Sequence, residues 1–253
     1  MSQVLTTIDA DVEDLIVNVE DIITEDDTPM DNLFSEKQQR LLTEPLYSSW
    51  TVPAVDTQTE PRKFLAAANV GMFPSLYKPP LVPDMFLSLD VAVHQDWYEK
   101  RHRSYFFWEF GKPPEAVIEI VSNRKGNEAG SKLYDYARCG VIYYVIYDPT
   151  RQLSDEELRV FENHAGSFKR RADDFLPEVG LGLTLWEGTY EGQNSSWLRW
   201  CDAQGQVVLT GAEALLREAA RTRHEAERAT REAERAERLA AKLRALGEDP
   251  DLI

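Results

Sequence analysis

Between Pro113 and Pro149 the chain reads PPEAVIEIVSNRKGNEAGSKLYDYARCGVIYYVIYDP, two apolar runs rich in β-branched and aromatic residues that bracket one helical stretch. The runs at 115–122 and 141–148 are of strand length, and Lys132, Tyr136 and Cys139 recur between them at helical spacing, with Gly140 as the stop. A strand, a crossover helix and a second strand favour parallel pairing. The segment therefore predicts a βαβ-like unit with a helix over about 126–139, inside a mixed sheet of an α/β (α+β) protein.

Other short runs fall on both sides of this unit. KFLAAANVGMF, MFLSLDVAV, LRVFE, SFKRRA, LGLTLW, WLRWCD and QVVLT all read as strands, and turn signals such as Asn163–Gly166 and Asp202–Gly205 separate many of them. Upstream, Ser35 before EKQQRLL predicts an N-capped helix over about 36–50 that Pro45 should stop or kink. Downstream of Ala212, a segment of Ala, Glu and Arg without Gly or Pro until Gly247 predicts one long helix. Its Ala219, Ala226, Ala233 and Ala240 share one heptad position, and Thr222, Ala229, Ala236 and Leu243 share the other. Such a seam predicts a coiled coil and self-association over 212–247; a single charged helix held by Glu–Arg pairs is the rival reading. The expected organisation is an acidic leader over 1–34, a folded domain over 35–211, the helix over 212–247 and a tail over 248–253.

Charge is distributed unevenly. Residues 1–36 carry eleven acids and no Lys or Arg, so −11 of the net −16 lies there, while 37–211 carry −4 and 212–253 carry −1. The leader reads as a solvated tail whose DLIVNVEDII stretch can pair transiently, and the mildly acidic domain does not exclude a polyanion as partner. No apolar run long enough to span a bilayer and no secretory signal are visible, so a cytoplasmic protein with no membrane association is expected. Cys139 and Cys201 fit no zinc or redox spacing, and the four histidines form no ligand pair.

The chemistry must then come from acids and lysines, since G-x-S-x-G, P-loop and H-E-x-x-H motifs are absent. Glu119 is a carboxylate in the middle of an apolar strand, sharing a face with Glu115, Val117 and Val121. An unpartnered buried carboxylate is costly, so Glu119 should be paired with a cation, hydrogen-bonded, protonated or metal-bound, unless it is exposed on an edge strand. Asp84, in VPDMFLSLDV, directly precedes another apolar strand. Two such acids on adjacent strands could share one divalent cation through oxygen ligands.

Several of these pieces, in this order and at these separations, resemble the Uma family of the PD-(D/E)XK nuclease superfamily. They are PDMFLSLDV, RSYFFWEFGKPPEAVIEIVS, KLYDY at 132–136, GVIYYVIYDP, LGLTLWEGTYEG and WLRWCDAQGQVVLTGAEA, and the helix ending LAAKLRALGEDPD is similar to tails of that family. The resemblance covers about residues 35–211. It implies a restriction-endonuclease-like mixed β-sheet flanked by helices, and a Mg²⁺- or Mn²⁺-dependent endonuclease acting on DNA. It also implies Asp84 and Glu119 as catalytic metal ligands. The superfamily lysine expected two residues after the acid is absent, because Val121 stands there. The matching lysine is Lys132 on the following helix, with Lys125 as its rival. Glu36 corresponds to an acid that superfamily members sometimes supply from the first helix, and Tyr136 packs against the lysine helix or contacts the site. The implied roles are Asp84 and Glu119 on the metal and Lys132 on the nucleophile or the phosphorus charge. Two rivals keep the fold: a catalytically silent module that acts in assembly through the C-terminal helix, and a small-molecule hydrolase using the same metal.

Overall fold

The computed structural model describes residues 32–54, 62–75, 78–93, 96, 98, 102–122 and 130–246. The acidic leader up to residue 31 with its DLIVNVEDII stretch, Lys125 and the tail from 247 lie outside the described residues. In chain order the elements are α1 (Leu33–Ser49), β1 (Phe64–Ala67), β2 (Met72–Phe73), β3 (Met85–Leu89), β4 (Tyr105–Phe106), α2 (Phe107–Phe110), β5 (Ala116–Ile120) and α3 (Ser131–Cys139). They continue with β6 (Tyr143–Tyr147), β7 (Leu158–His164), β8 (Ser167–Arg170), β9 (Phe175–Leu176), β10 (Leu181–Tyr190), β11 (Gln193–Cys201) and α4 (Gly211–Ala245).

The main sheet has six strands in the order β1-β3-β5-β6-β7-β8. Its one parallel pair is β5–β6, in register from Ala116↔Tyr143 to Ile120↔Tyr147, and the other neighbours are antiparallel. The strand–helix–strand segment is thus the parallel kernel of a mixed sheet, as expected. A three-stranded sheet, β11-β10-β9, lies apart from it in hydrogen bonding.

Alternation along the strands sorts side chains onto two faces. Leu87, Ile118, Val145 and Val160 point to one face, where Leu42 and Leu46 of α1 and Leu176, Leu198 and Trp200 of the smaller sheet complete a core. Phe86, Val117, Tyr144 and Ile146 point to the other, where Tyr136 of α3 and Tyr105 cover them. Each fully buried aliphatic side chain here contributes about 1.5–3 kcal/mol. Glu119 belongs to this second face.

Three expectations of local structure change. The N-cap of α1 is Asn32, whose side chain accepts from the Ser35 N–H, and not Ser35, which is buried one turn further on. Pro45 does not end the helix: α1 runs on to Ser49, since Leu41, Leu42, Pro45 and Leu46 all enter the core and that burial offsets the lost backbone bond. The QVVLT stretch forms one isolated bridge, Cys201↔Val207, because Thr210 just beyond it caps α4 in a reciprocal capping box with Glu213. Helix α3 begins at Ser131 and closes on Gly140, which takes a left-handed φ of 89° and donates to the carbonyls of Ala137 and Tyr136.

Candidate active site

The antiparallel register of β3 and β5 pairs Met85 with Ile118, so one step further along, Asp84 stands opposite Glu119. Directly opposed residues share a face with Cβ atoms about 5 Å apart. Asp84 is held there from two sides. Its Oδ2 accepts from the Ile120 N–H at 2.6 Å, closing with a side chain the ladder that β3 leaves open, and its Oδ1 accepts from the Gln39 amide of α1 at 3.3 Å. Its own carbonyl accepts from Asn69, a left-handed residue with φ 54° that turns the chain away just past β1.

Glu119 is only 1 % exposed, and two groups of α3 reach it. Lys132 Nζ donates to Oε2 at 2.9 Å and the Tyr136 hydroxyl donates to Oε1 at 2.8 Å. Residues four apart on a helix lie one above the other, which is how α3 grips one carboxylate with both. The Lys132 side chain keeps 32 % of its surface in solvent, so the pair opens outward on the lysine side. Burial pushes the Glu119 carboxyl up to about 8; Lys132 opposes that rise, and the Asp84 charge adds to it. Burial, followed by the Glu119 charge, holds the Tyr136 hydroxyl well above its ordinary range.

The electrostatic conclusion is direct. Glu119 is wholly desolvated opposite a second acid, and burial of that kind favours the protonated carboxyl, which nearby positive charge opposes. No group of three or more His, Cys, Asp or Glu that could hold a metal occurs among the described residues. A set of two carboxylates nevertheless suits Mg²⁺, which takes hard oxygen ligands and completes its octahedron with water and phosphate oxygens. A carboxylate oxygen carries two lone pairs, so accepting a hydrogen bond does not by itself bar it from ligating a cation. The donor set therefore fits a hard divalent ion and does not fit a soft one.

With this geometry in place the comparison with known proteins is informative. The Uma2 family model, described as "Putative restriction endonuclease", matches residues 23–177. The chain belongs to the Uma2 family. The match spans both Asp84 and Glu119, α3, and the parallel pair of the main sheet. No curated protein matches the chain significantly. The mixed sheet flanked by helices agrees with the restriction-endonuclease-like fold. Among the described residues no helix is long and apolar enough to cross a membrane.

The other residues singled out from the sequence are placed as follows. Val121 is 2 % exposed on the Glu119 face, so the position where a lysine was due is core. Glu36 is not near the pair: it bonds Arg40 on the exposed side of α1, in a network with Lys37 and Glu191. The residue of α1 that does reach Asp84 is Gln39, three positions on, and sequence reading missed it because a glutamine in a polar helical stretch carries no signal of its direction. Arg159 was missed as well. It lies opposite Ile146 of β6, itself beside Glu119, so Asp84, Glu119, Ile146 and Arg159 form one row across the sheet on one face. That row is set by strand register, which composition does not disclose.

Proposed function

We propose that this Uma2 protein is a Mg²⁺- or Mn²⁺-dependent endonuclease that hydrolyses DNA phosphodiester bonds. The observation that carries the reading is the opposition of Asp84 and Glu119 across two hydrogen-bonded strands with the Lys132 amine on Glu119. Asp84 and Glu119 would hold the ion, which when bound supplies Lewis-acid polarisation of the phosphate and lowers the pKa of a water. Asp84 is pre-set for this by Gln39 and the Ile120 N–H, which fix its carboxylate plane. Lys132 directs an N–H donor at Glu119, and its ammonium, partly open to solvent, would face the attacking water or a non-bridging oxygen. In the reaction water oxygen bonds to phosphorus, the bridging P–O bond breaks, and the released oxygen takes a proton. Lys132 donates hydrogen bonds to the charge that builds on phosphorus. Tyr136 keeps Glu119 aimed along the sheet face and acts as a positioning residue.

The test is cleavage of supercoiled plasmid and of labelled single strands with Mg²⁺ or Mn²⁺, comparing wild type with Asp84→Ala, Glu119→Ala and Lys132→Ala. Cutting that needs the metal and disappears in the variants supports the reading. Cutting that persists in all three, or a wild type that leaves both substrates whole, overturns it; DNA bound but never cut would favour the silent module.

We also infer self-association through α4. Nothing on this helix is buried, and Leu215, Leu216, Leu239 and Leu246 remain exposed along it. Its base is anchored, since Arg199, 3 % exposed in its side chain, forms a two-pronged pair with Glu213. The heptad Ala seam offers a second copy a close-packing face. Truncation after Arg221 keeps the anchor, and an oligomeric state unchanged from that of the full chain would reject the inference.

A further inference from the structure

Helix α1 buries two neighbouring glutamines and uses them differently. Gln38 is fully buried and pairs with one residue of β11: its Nε2 donates to the Leu198 carbonyl at 2.8 Å, and its Oε1 accepts from the Leu198 N–H at 3.0 Å. Turned over, that amide would set donor against donor and acceptor against acceptor, so its orientation is fixed. Gln39 is almost as deeply buried, and its Nε2 donates to Asp84 Oδ1 at 3.3 Å. An ionised carboxylate only accepts, and it selects the N–H side of this amide.

The preference reverses once a cation sits on Asp84. An N–H₂ group turned toward positive charge is repelled, whereas the carbonyl oxygen on the other side of the same amide is a hard ligand suited to Mg²⁺, Ca²⁺ or Mn²⁺. The terminal torsion of a glutamine is soft and roughly two-fold, so a half-turn sets Oε1 about where Nε2 now lies. The distance suits that exchange. Oxygens on neighbouring corners of an octahedron lie about 3.0 Å apart at Mg²⁺ bond lengths and about 3.3–3.7 Å apart at those of Ca²⁺. The 3.3 Å between the Gln39 amide and Asp84 Oδ1 is close to both, so α1 need shift by no more than about 0.3 Å. The residue type fits as well. A third carboxylate would add to the negative charge that Asp84 and Glu119 already oppose across β3 and β5, while an amide brings oxygen without charge.

We propose that Gln39 is a third oxygen ligand of the ion shared by Asp84 and Glu119, its amide turning over as the ion binds. The proposal rests on the metal-dependent reading above and deepens it. Helix α1 then serves the metal through Gln39 and not through Glu36, whose carboxylate accepts from Arg40 on the exposed side.

The test uses Mn²⁺ as the probe, on the full chain and without nucleic acid. A crystal structure of wild type with Mn²⁺ locates the ion by its anomalous scattering. Electron paramagnetic resonance of the unbound ion gives the affinity of wild type, Gln39→Met and Gln39→Glu, each with its thermal midpoint in chelator. The ion should lie on Asp84 and Glu119 with Gln39 Oε1 about 2.0–2.6 Å from it, the range of hard-cation bonds to oxygen. Gln39→Met, of similar length but without the oxygen, should bind Mn²⁺ at least about tenfold more weakly, since even residues that only orient a ligand give losses of that size. Gln39→Glu should bind at least as tightly as wild type, while its thermal midpoint in chelator falls because a third acid then faces the pair. Unchanged affinity in Gln39→Met would overturn the proposal, as would an ion on the two acids with the Gln39 nitrogen still donating to Asp84. A Gln39→Glu variant as weak as Gln39→Met would overturn it too, because the site would then need the N–H donor and not an oxygen. Absence of Mn²⁺ from Asp84 and Glu119 in wild type would overturn it together with the metal reading. The endonuclease reading fails separately, on uncut plasmid in Mg²⁺ or Mn²⁺, since these measurements need no cleavage.

Discussion

Glu115 and Glu119 stand on the same face of one strand segment, four residues apart, and the fold treats them in opposite ways. Glu115 is closed off. Its Oε2 accepts from the Leu89 N–H at 2.7 Å, its Oε1 pairs with Lys112, and the same lysine donates to the Leu89 carbonyl at 2.6 Å. That ring of three bonds staples the approach to β5 onto the end of β3, and every charge in it is answered. Glu119 is answered only in part. Its lysine and tyrosine come from a helix, a second acid stands across from it, and it is more deeply buried than Glu115. On the proposed reading the difference separates a carboxylate that holds a structure from one that holds a ligand: the first is tied to a lysine and a backbone N–H, the second is deeply buried opposite another acid beside a partly exposed lysine.

The strongest way to break this comparison is to remove each acid in turn. Asp84→Ala or Glu119→Ala should reduce metal-dependent cleavage by about 10³-fold or more, since each removes one of the two carboxylates proposed to hold the ion. Glu115→Gln should leave the rate at the wild-type level and lower stability by about 2 kcal/mol, read from urea melts, because it cuts a buried ion pair but keeps a hydrogen-bonding shape. A Glu115→Gln variant that loses cleavage at unchanged stability would erase the distinction. The lysines give the next contrast. Lys132→Met should lower the rate by about 10²-fold, whereas Lys112→Met should act on stability alone, by about 1–2 kcal/mol. Equal rate losses in the two would show that neither lysine is special to the reaction.

A pH series sharpens the same point without an assay of activity. The ordinary carboxyl value of 4.5 is raised to about 8 for Glu119 in the folded chain, so between those pH values the folded state holds a proton that the unfolded state has released. Stability from this group is therefore full below about 4.5 and is lost as pH rises through about 8. Thermal midpoints in chelator should fall over that window, and in Glu119→Gln this part of the fall should vanish. A slope that persists unchanged in Glu119→Gln would place the titration elsewhere.

Much of the frame was legible before any coordinates. The βαβ kernel followed from two β-rich runs around a helix ending in Gly140, and that period is strong because both strands are buried on both faces. The acids were visible as chemistry out of place: a glutamate among Val and Ile, an aspartate at a strand mouth. What could not be read was whatever register and helix direction decide. Gln39 points at Asp84 while Glu36, three residues before it, points to Arg40, and nothing in EKQQR says which face of α1 meets the sheet end. Arg159 became part of the row only once β6 and β7 were paired at Ile146↔Arg159. At Pro45 the sequence left a stop or a kink open, and α1 runs on to Ser49 because core burial offsets the lost backbone bond.

The smallest expected effect tests the weakest link in the contrast, the hydroxyl that Glu119 has and Glu115 lacks. Tyr136 is fully buried, packs at a tilt against Tyr144 with ring centres 5.3 Å apart, and donates its hydroxyl to Glu119. Tyr136→Phe keeps the ring and its packing but removes one donor from a buried carboxylate. The cost should be about 1 kcal/mol of stability. The missing donor also raises the Glu119 carboxyl further, so the pH window over which stability falls should extend upward, visible in the same chelator melts. If Tyr136 only fills space, neither shift occurs. If it positions Glu119 for a cation, the variant should in addition need more Mg²⁺ to reach half its maximal rate while that maximum changes little, a split that loss of packing alone does not produce.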